Sequence, residues 1–175
     1  MSPSGSHINI EIKAKSDNHD KTREILESLK ADFKGTDSQT DTYFNVNKGR
    51  LKLREGDIEN NLIYYEREDE RGPKQSNVIL YKSNPGSTLK EILIQALGIM
   101  ATVKKQREIY FVDNVKFHLD TINKLGTFVE IEVVDKDGTI GNEELLKQCN
   151  HYMNLFNINN KDLISVSYSD LLLPK

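Results

Sequence analysis

INIEIKAK, residues 8 to 15, alternates Ile8, Ile10, Ile12 and Ala14 with Asn9, Glu11, Lys13 and Lys15. In an extended strand alternate side chains share a face. One face here is apolar, and the other carries a carboxylate beside an ammonium. FVEIEVV, residues 128 to 134, repeats the design, with Glu130 and Glu132 opposed to Val129, Ile131 and Val133. RLKLR, residues 50 to 54, sets Arg50, Lys52 and Arg54 against Leu51 and Leu53. A charged face on a single strand ordinarily meets water. Several strands repeat the pattern here, and the signs segregate. Acids sit in the first and last strands (Glu11, Glu130, Glu132), cations in the middle ones (Arg50, Lys52, Arg54, Lys82, Lys105, Arg107). A closed barrel makes every strand alternate inward and outward. A polar interior, with the apolar face turned out beneath helices, accounts for the pattern.

Outward from these strands, Asp17 or Asn18 caps a helix over about 19 to 31, with Ile25, Leu26 and Leu29 on its buried stripe. Strands are expected at DTYFNV (41–46), LIYYERED (62–69), VILYK (78–82), VKKQREIYFV (103–112) and KFHLD (116–120), the last two joined through Asp113 and Asn114. RGPKQSN, residues 71 to 77, reads as loop. Thr88 with Glu91 forms a capping box for a helix through Leu97, closed by Gly98. Asn142 caps a helix to about Phe156, with Leu145, Leu146, Met153 and Phe156 as candidate core, and SYSDLLL supplies one more helical turn. The order lacks regular βαβ alternation, so antiparallel meanders in an α+β fold are expected rather than a doubly wound parallel sheet.

The chain's 175 residues suffice for one domain. The first seven, MSPSGSH, read as a leader or expression scar outside it, with the domain at 8 to 173. The formal net charge of −3 gives no general attraction for nucleic acid. A basic site must be local and enclosed. A lone cysteine, Cys149, fits a reducing, cytoplasmic setting, and as a helix residue it reads as a buried, inert thiol. No run of about 18 apolar residues is present to span a membrane.

Carboxylates and cations converging on one channel suit a triphosphate and its metal. Arg offers a rigid fork to phosphate oxygens and Lys a point charge. Mg²⁺ takes one or two carboxylates plus phosphate oxygens. Other residues have a plainer reading beside a functional one. His118 shares a face with Lys116 and Asp120, and a solvated histidine is a commoner outcome than a pH-active one. Asp120 is a cap or a further acidic ligand. Tyr64 and Tyr65 pack in a core or stack on a base. No P-loop, GxSxG, paired CxxC or HExxH occurs.

DTYF, RLKLRE, KKQREIY, HLD, LGTFVEIE and SYSDLL, with NIEIK at the start, resemble the blocks of the CYTH family, the triphosphate tunnel metalloenzymes, in order from Ile8 to Leu173. DTYF, YYERED and SYSDLL look closest to its class IV adenylate cyclase-like branch. The resemblance implies an eight-stranded antiparallel barrel, open as a tunnel, that binds triphosphates with Mg²⁺ or Mn²⁺. It implies Glu11, Glu130 and Glu132 as metal ligands, with Asp120 helping the metal or orienting a basic group. Lys13 becomes a phosphate-proximal lysine that acts with Glu11 and Glu132 in catalysis. Lys52, Arg54, Lys82, Lys105 and Arg107 hold the phosphates. The family's motif begins ExExK, and Asn9 stands at its first glutamate, which weakens a hard-cation site. The expected reaction is cyclisation of ATP to cyclic AMP and pyrophosphate. Hydrolysis of inorganic, thiamine or nucleoside triphosphate is the alternative, and binding without turnover a third. The expected partners are ATP, tripolyphosphate or thiamine triphosphate, with no nucleic acid and no membrane, in a monomer or homodimer.

Overall fold

The computed structural model describes residues 5–173. Its frame is an antiparallel barrel of eight strands: β1 (Ser6–Lys15), β2 (Asp32–Phe44), β3 (Arg50–Glu55), β4 (Asn61–Arg67), β5 (Lys74–Lys82), β6 (Ile99–Val112), β7 (Val115–Ile122) and β8 (Gly126–Asp135). The order around the barrel is β1-β5-β4-β3-β2-β6-β7-β8, closing on β1. Two meanders, β2 to β5 and β6 to β8, are zipped together by the long β2–β6 pair on one side. On the other side β1 stands between β5 and β8. Closure leaves no edge strand unpaired. Among the described residues four α-helices accompany the barrel: α1 (His19–Ser28), α2 (Leu89–Leu97), α3 (Asn142–Leu155) and α4 (Tyr168–Leu172).

The apolar faces do turn outward. Ile10, Ile12 and Ala14 of β1 pack with Phe117 and Leu119 of β7 and with Val129, Ile131 and Val133 of β8, beneath Leu26 of α1 and Leu145, Cys149 and Met153 of α3. Phe117 meets Tyr152 and Phe156 edge-on, at centroid distances of 4.8 and 5.4 Å. Cys149 is buried there, and burial pushes its thiol pKa up to about 12, which keeps it protonated. On β5, Ile79 and Tyr81 point outward and stand exposed.

Several local expectations need correction. β1 opens at Ser6, inside the segment read as a leader, whose residues 1 to 4 lie outside the described ones. β2 begins nine residues before DTYF, because its polar first half lies flat along β6 and shows no apolar alternation. Lys74 to Asn77, read as loop, belong to β5. Asn18 caps α1 by accepting from the Lys21 amide at 3.0 Å. Thr88 makes no side-chain cap at α2, and Gly141, not Asn142, is the cap residue of α3. Leu146 faces solvent, one position off the α3 stripe. His118 is buried rather than solvated.

Candidate functional site

Inside the barrel lies a cavity of about 260 Å³, lined by eight Lys and Arg side chains and four glutamates. The lining is therefore cationic in a chain whose net charge is −3. Alternation builds it. Inward positions of β1 carry Glu11 and Lys13, those of β3 carry Lys52 and Arg54, those of β6 carry Lys105 and Arg107, and those of β8 carry Glu130 and Glu132.

One cluster centres on Asp41 of β2. It accepts from Arg54 through Nε at 2.8 Å and Nη2 at 2.9 Å, from Lys105 at 2.8 Å and from Lys52 at 3.0 Å. Burial by itself would raise the Asp41 pKa. Arg54, Lys105 and Lys52 hold it well below the usual carboxylate range. Lys105 outnumbers its counter-charge: burial and the neighbouring Arg107 pull its pKa well down despite Asp41.

A second cluster spans β6 to β8. Arg107 forks onto Asp120 at 2.6 and 2.5 Å and donates to Glu130 at 2.9 Å. Tyr168 of α4 donates to Asp120 at 2.7 Å. Glu130 also meets Lys13 at 3.3 Å and His118 Nδ1 at 3.1 Å. Burial first, then Arg107, lowers the His118 pKa to about 3, so the ring is neutral. Lys13 lies 3.7 Å from the centre of the Tyr168 ring, a cation–π contact, and burial lowers its pKa.

In the third cluster Glu11 and Glu132 stand directly opposite each other on β1 and β8. Arg67 of β4 pairs with Glu11, and Asn9 donates to Glu132 at 3.0 Å. Burial raises the Glu132 pKa, and Glu11 and Glu130 push it further. Nearby, Glu59 pairs with Lys116 and Arg54 from a turn anchored by Asp37, which accepts from the amides of Ile58 and Glu59, each at 2.9 Å. Gly56 is required there, since a Cβ would sit 2.6 Å from the Asp37 carboxylate.

One end of the barrel is crossed by residues 163 to 170. Ala14 bridges to Leu163, and the Ile164 amide donates to Lys13 O at 2.8 Å. Lys74 spends its ammonium on the carbonyls of Glu70, Ile164 and Ser165, at 3.1, 3.2 and 3.2 Å. Asp170 reaches Arg50 at 3.3 Å.

Of the residues singled out from sequence, Glu11, Lys13, Lys52, Arg54, Lys105, Arg107, Glu130 and Glu132 line this one cavity. Asp120 shares the inward face of Lys116 and His118 but is wholly buried beneath Arg107. Lys82 does not join them. It has the inward parity of β5 but is the strand's last residue, exposed at the rim. Tyr65 lines the cavity, while Tyr64 turns outward and donates to Glu66. Sequence reading missed Arg67, Asp41, Glu59, Lys74 and Tyr168. Continuing the inward alternation Ile63, Tyr65, Arg67 along β4 would have found the first of these.

A closed antiparallel barrel whose interior presents clustered cations beside facing carboxylates is a tunnel built for a polyanion. The chain belongs to the CYTH domain family, whose sequence model matches residues 7–164. A Methanocaldococcus jannaschii protein named "Putative adenylate cyclase" is 26% identical over 173 residues, covering 94% of this chain and 98% of that protein. Among solved structures, a Pyrococcus horikoshii protein superposes with a TM-score of 0.78 at 25% identity, over 94% of this chain and 99% of that one. A Hippeastrum protein, described as a "putative adenylyl cyclase" with a dominant triphosphatase activity, shares the fold at a TM-score of 0.57 and 15% identity, over 96% and 98% of the two chains.

Family membership implies a triphosphate substrate and a divalent metal. The residues present fit such an ion by donor chemistry: Glu11, Glu130 and Glu132 offer hard oxygens from adjacent strands, and the buried Asn9 Oδ1 has no hydrogen-bond partner. Among the described residues no three acidic, His or Cys side chains already converge on one point. Arg67 and Lys13 occupy Glu11 and Glu130 instead.

Proposed function

We propose that this chain is a divalent-metal-dependent enzyme that acts on a triphosphate inside the barrel. The observation that carries the proposal is the enclosure of eight cationic side chains with Glu11, Glu130 and Glu132 in one cavity. Lys13, Lys52, Arg54, Arg67, Lys105 and Arg107 bind the phosphate oxygens. The buried ammoniums of Lys13 and Lys105, whose pKa values are depressed, gain the counter-charge they lack. Glu11, Glu130 and Glu132, with Asn9, would hold the metal, which supplies charge neutralisation along the phosphates when bound. Asp41 and Asp120 keep Arg54 and Arg107 aimed inward before substrate arrives, so little reorganisation is needed at reaction.

Cyclisation is our first reading, supported by the M. jannaschii relative and by the chain's own sequence blocks. In it the ribose 3′-oxygen of ATP bonds to the α-phosphorus, the bond from that phosphorus to the bridging oxygen breaks, and pyrophosphate leaves as the hydroxyl proton departs. Hydrolysis is the second reading. In it water attacks the terminal phosphorus, the bond from that phosphorus to the bridging oxygen breaks, and orthophosphate leaves. Incubation with ATP, tripolyphosphate and thiamine triphosphate, each with Mg²⁺ and Mn²⁺, separates them. Cyclic AMP with pyrophosphate marks the first, orthophosphate the second, and no turnover of any triphosphate sinks both. Glu132→Ala is expected to abolish the metal-dependent rate, and an intact rate would remove Glu132 from the ligand set.

A further inference from the structure

The cavity is not uniformly charged. Ile63 and Tyr65 of β4 and Val78 of β5 form an apolar cluster with Leu80, and all four face the lumen. Register places this wall along the barrel. Lys13, Arg67 and Lys74 lie at the end crossed by residues 163 to 170. β4 and β5 run antiparallel, so Asn61 and Leu80 lie toward the opposite mouth, with His7 across from Val78. The apolar side chains therefore form one wall on β4 and β5, and cations stand both toward the closed end (Lys13, Arg67) and beside the wall on β3, where Lys52 pairs with Ile63 and Arg54 with Asn61. The Tyr65 ring joins the wall to the cations: Lys52 lies 5.7 Å and Arg67 5.6 Å from its centre, while Ile63 and Val78 sit beside it.

Inward-facing apolar side chains lose nothing by meeting an organic group and gain nothing from a phosphate, which keeps its water or its cations. Residues on a barrel interior that served only an inorganic polyanion would gain by being polar at these positions as well. We infer that Ile63, Val78 and Leu80 form a subsite for the organic part of an organic triphosphate. The phosphates then lie against the cations that line the rest of the cavity, and the organic group rests on the apolar wall of β4 and β5. The inference rests on the reading of the tunnel as a triphosphate site, but not on whether the bound molecule is cyclised or hydrolysed. It assigns specificity to residues that touch no phosphate.

The test is calorimetry of ATP and of tripolyphosphate, each with Mg²⁺, on the wild-type protein and on Val78→Thr and Leu80→Asn. Val78→Thr keeps shape while placing a hydroxyl on the wall. ATP affinity is expected to fall about fivefold or more, as a buried hydroxyl without a partner demands, with tripolyphosphate affinity held within about twofold. Tripolyphosphate binding in the same sample certifies that the variant is folded. Leu80→Asn repeats the measurement at a second position. Equal shifts for both ligands, or ATP binding indifferent to both substitutions, overturn the apolar subsite while leaving the triphosphate site standing. Failure of the wild type to bind either polyphosphate overturns the triphosphate reading and the subsite together.

Discussion

At the residue scale, two side chains govern the balance of charge in the tunnel. Asn9 is buried, donates to Glu132 and leaves its Oδ1 without a partner. Asn9→Glu puts a carboxylate against Glu132, whose pKa burial, Glu11 and Glu130 already raise. Without metal the variant is expected to lose about 1–3 kcal/mol of stability, the cost of an unmatched buried polar group. With Mg²⁺ or Mn²⁺ the added oxygen becomes a ligand, so the metal-induced rise in melting temperature is expected to exceed the wild-type rise. Calorimetric scans with and without metal check this, and equal rises would dismiss position 9 as a ligand. Asp41 is the opposite case, an anion on which Arg54, Lys52 and Lys105 all depend. Removing one member of a buried ionic network leaves charge uncompensated, typically at about 3–5 kcal/mol. Asp41→Asn is therefore expected to melt roughly 10 °C lower, at about 2–4 °C per kcal/mol for a chain of this size. Tripolyphosphate should restore part of that loss by supplying the missing negative charge. Restoration by neutral solutes to the same extent would argue against the electrostatic account.

At the element scale, the closed end depends on β5 and the chain after α3. Lys74 opens β5 and ties it to Ile164 and Ser165. Burial, then Arg67, pulls its pKa from 10.5 down to about 8. Between these values the unfolded chain holds more protons than the native one, so this group's contribution to stability grows as pH rises, is complete above about 10.5 and is lost as pH falls through about 8. The stability of wild type minus that of Lys74→Met is expected to increase from pH 7 to pH 10, by at most about 3 kcal/mol. Chemical denaturation at a series of pH values measures it, and a flat difference would contradict the assignment. Lys74 also shows why part of the site escapes sequence reading. RLKLRE and FVEIEVV declare their inward faces because leucine or valine alternates with charge. KQSN at the start of β5 and the polar half of β2 carry no apolar partner set, since the outer side of these stretches faces water, and period 2 then leaves no trace. Glu59 and Tyr168 reach the cavity from a turn and a short helix, where alternation has no meaning. Lys82 misleads for the converse reason: the parity is right, but parity says nothing about where a strand leaves the barrel.

At the scale of the whole molecule, the interior and the surface carry opposite signs. Eight Lys and Arg residues face four glutamates across the lumen, while the chain as a whole is at −3. Two further buried acids, Asp41 and Asp120, fix the guanidinium groups but do not neutralise the set. The native state without ligand therefore holds like charges at close range in a region that salt screens poorly. A polyanion that enters relieves this, and the unfolded chain has no comparable site. Ligand binding is thus linked to folding: at a free concentration one hundred times its dissociation constant, tripolyphosphate is expected to add about 2.7 kcal/mol. For a chain of this length that corresponds to roughly 5–11 °C in melting temperature. Sodium chloride at matched ionic strength is expected to give a much smaller shift, because a monovalent anion cannot bridge Lys105, Arg54 and Arg107 at once. Arg54→Ala removes one of those partners and should reduce the polyphosphate shift more than any change in salt does. If chloride and tripolyphosphate raised the melting temperature equally, the stabilisation would belong to the protein's outer surface, and the cationic lumen would have no specific anion to bind.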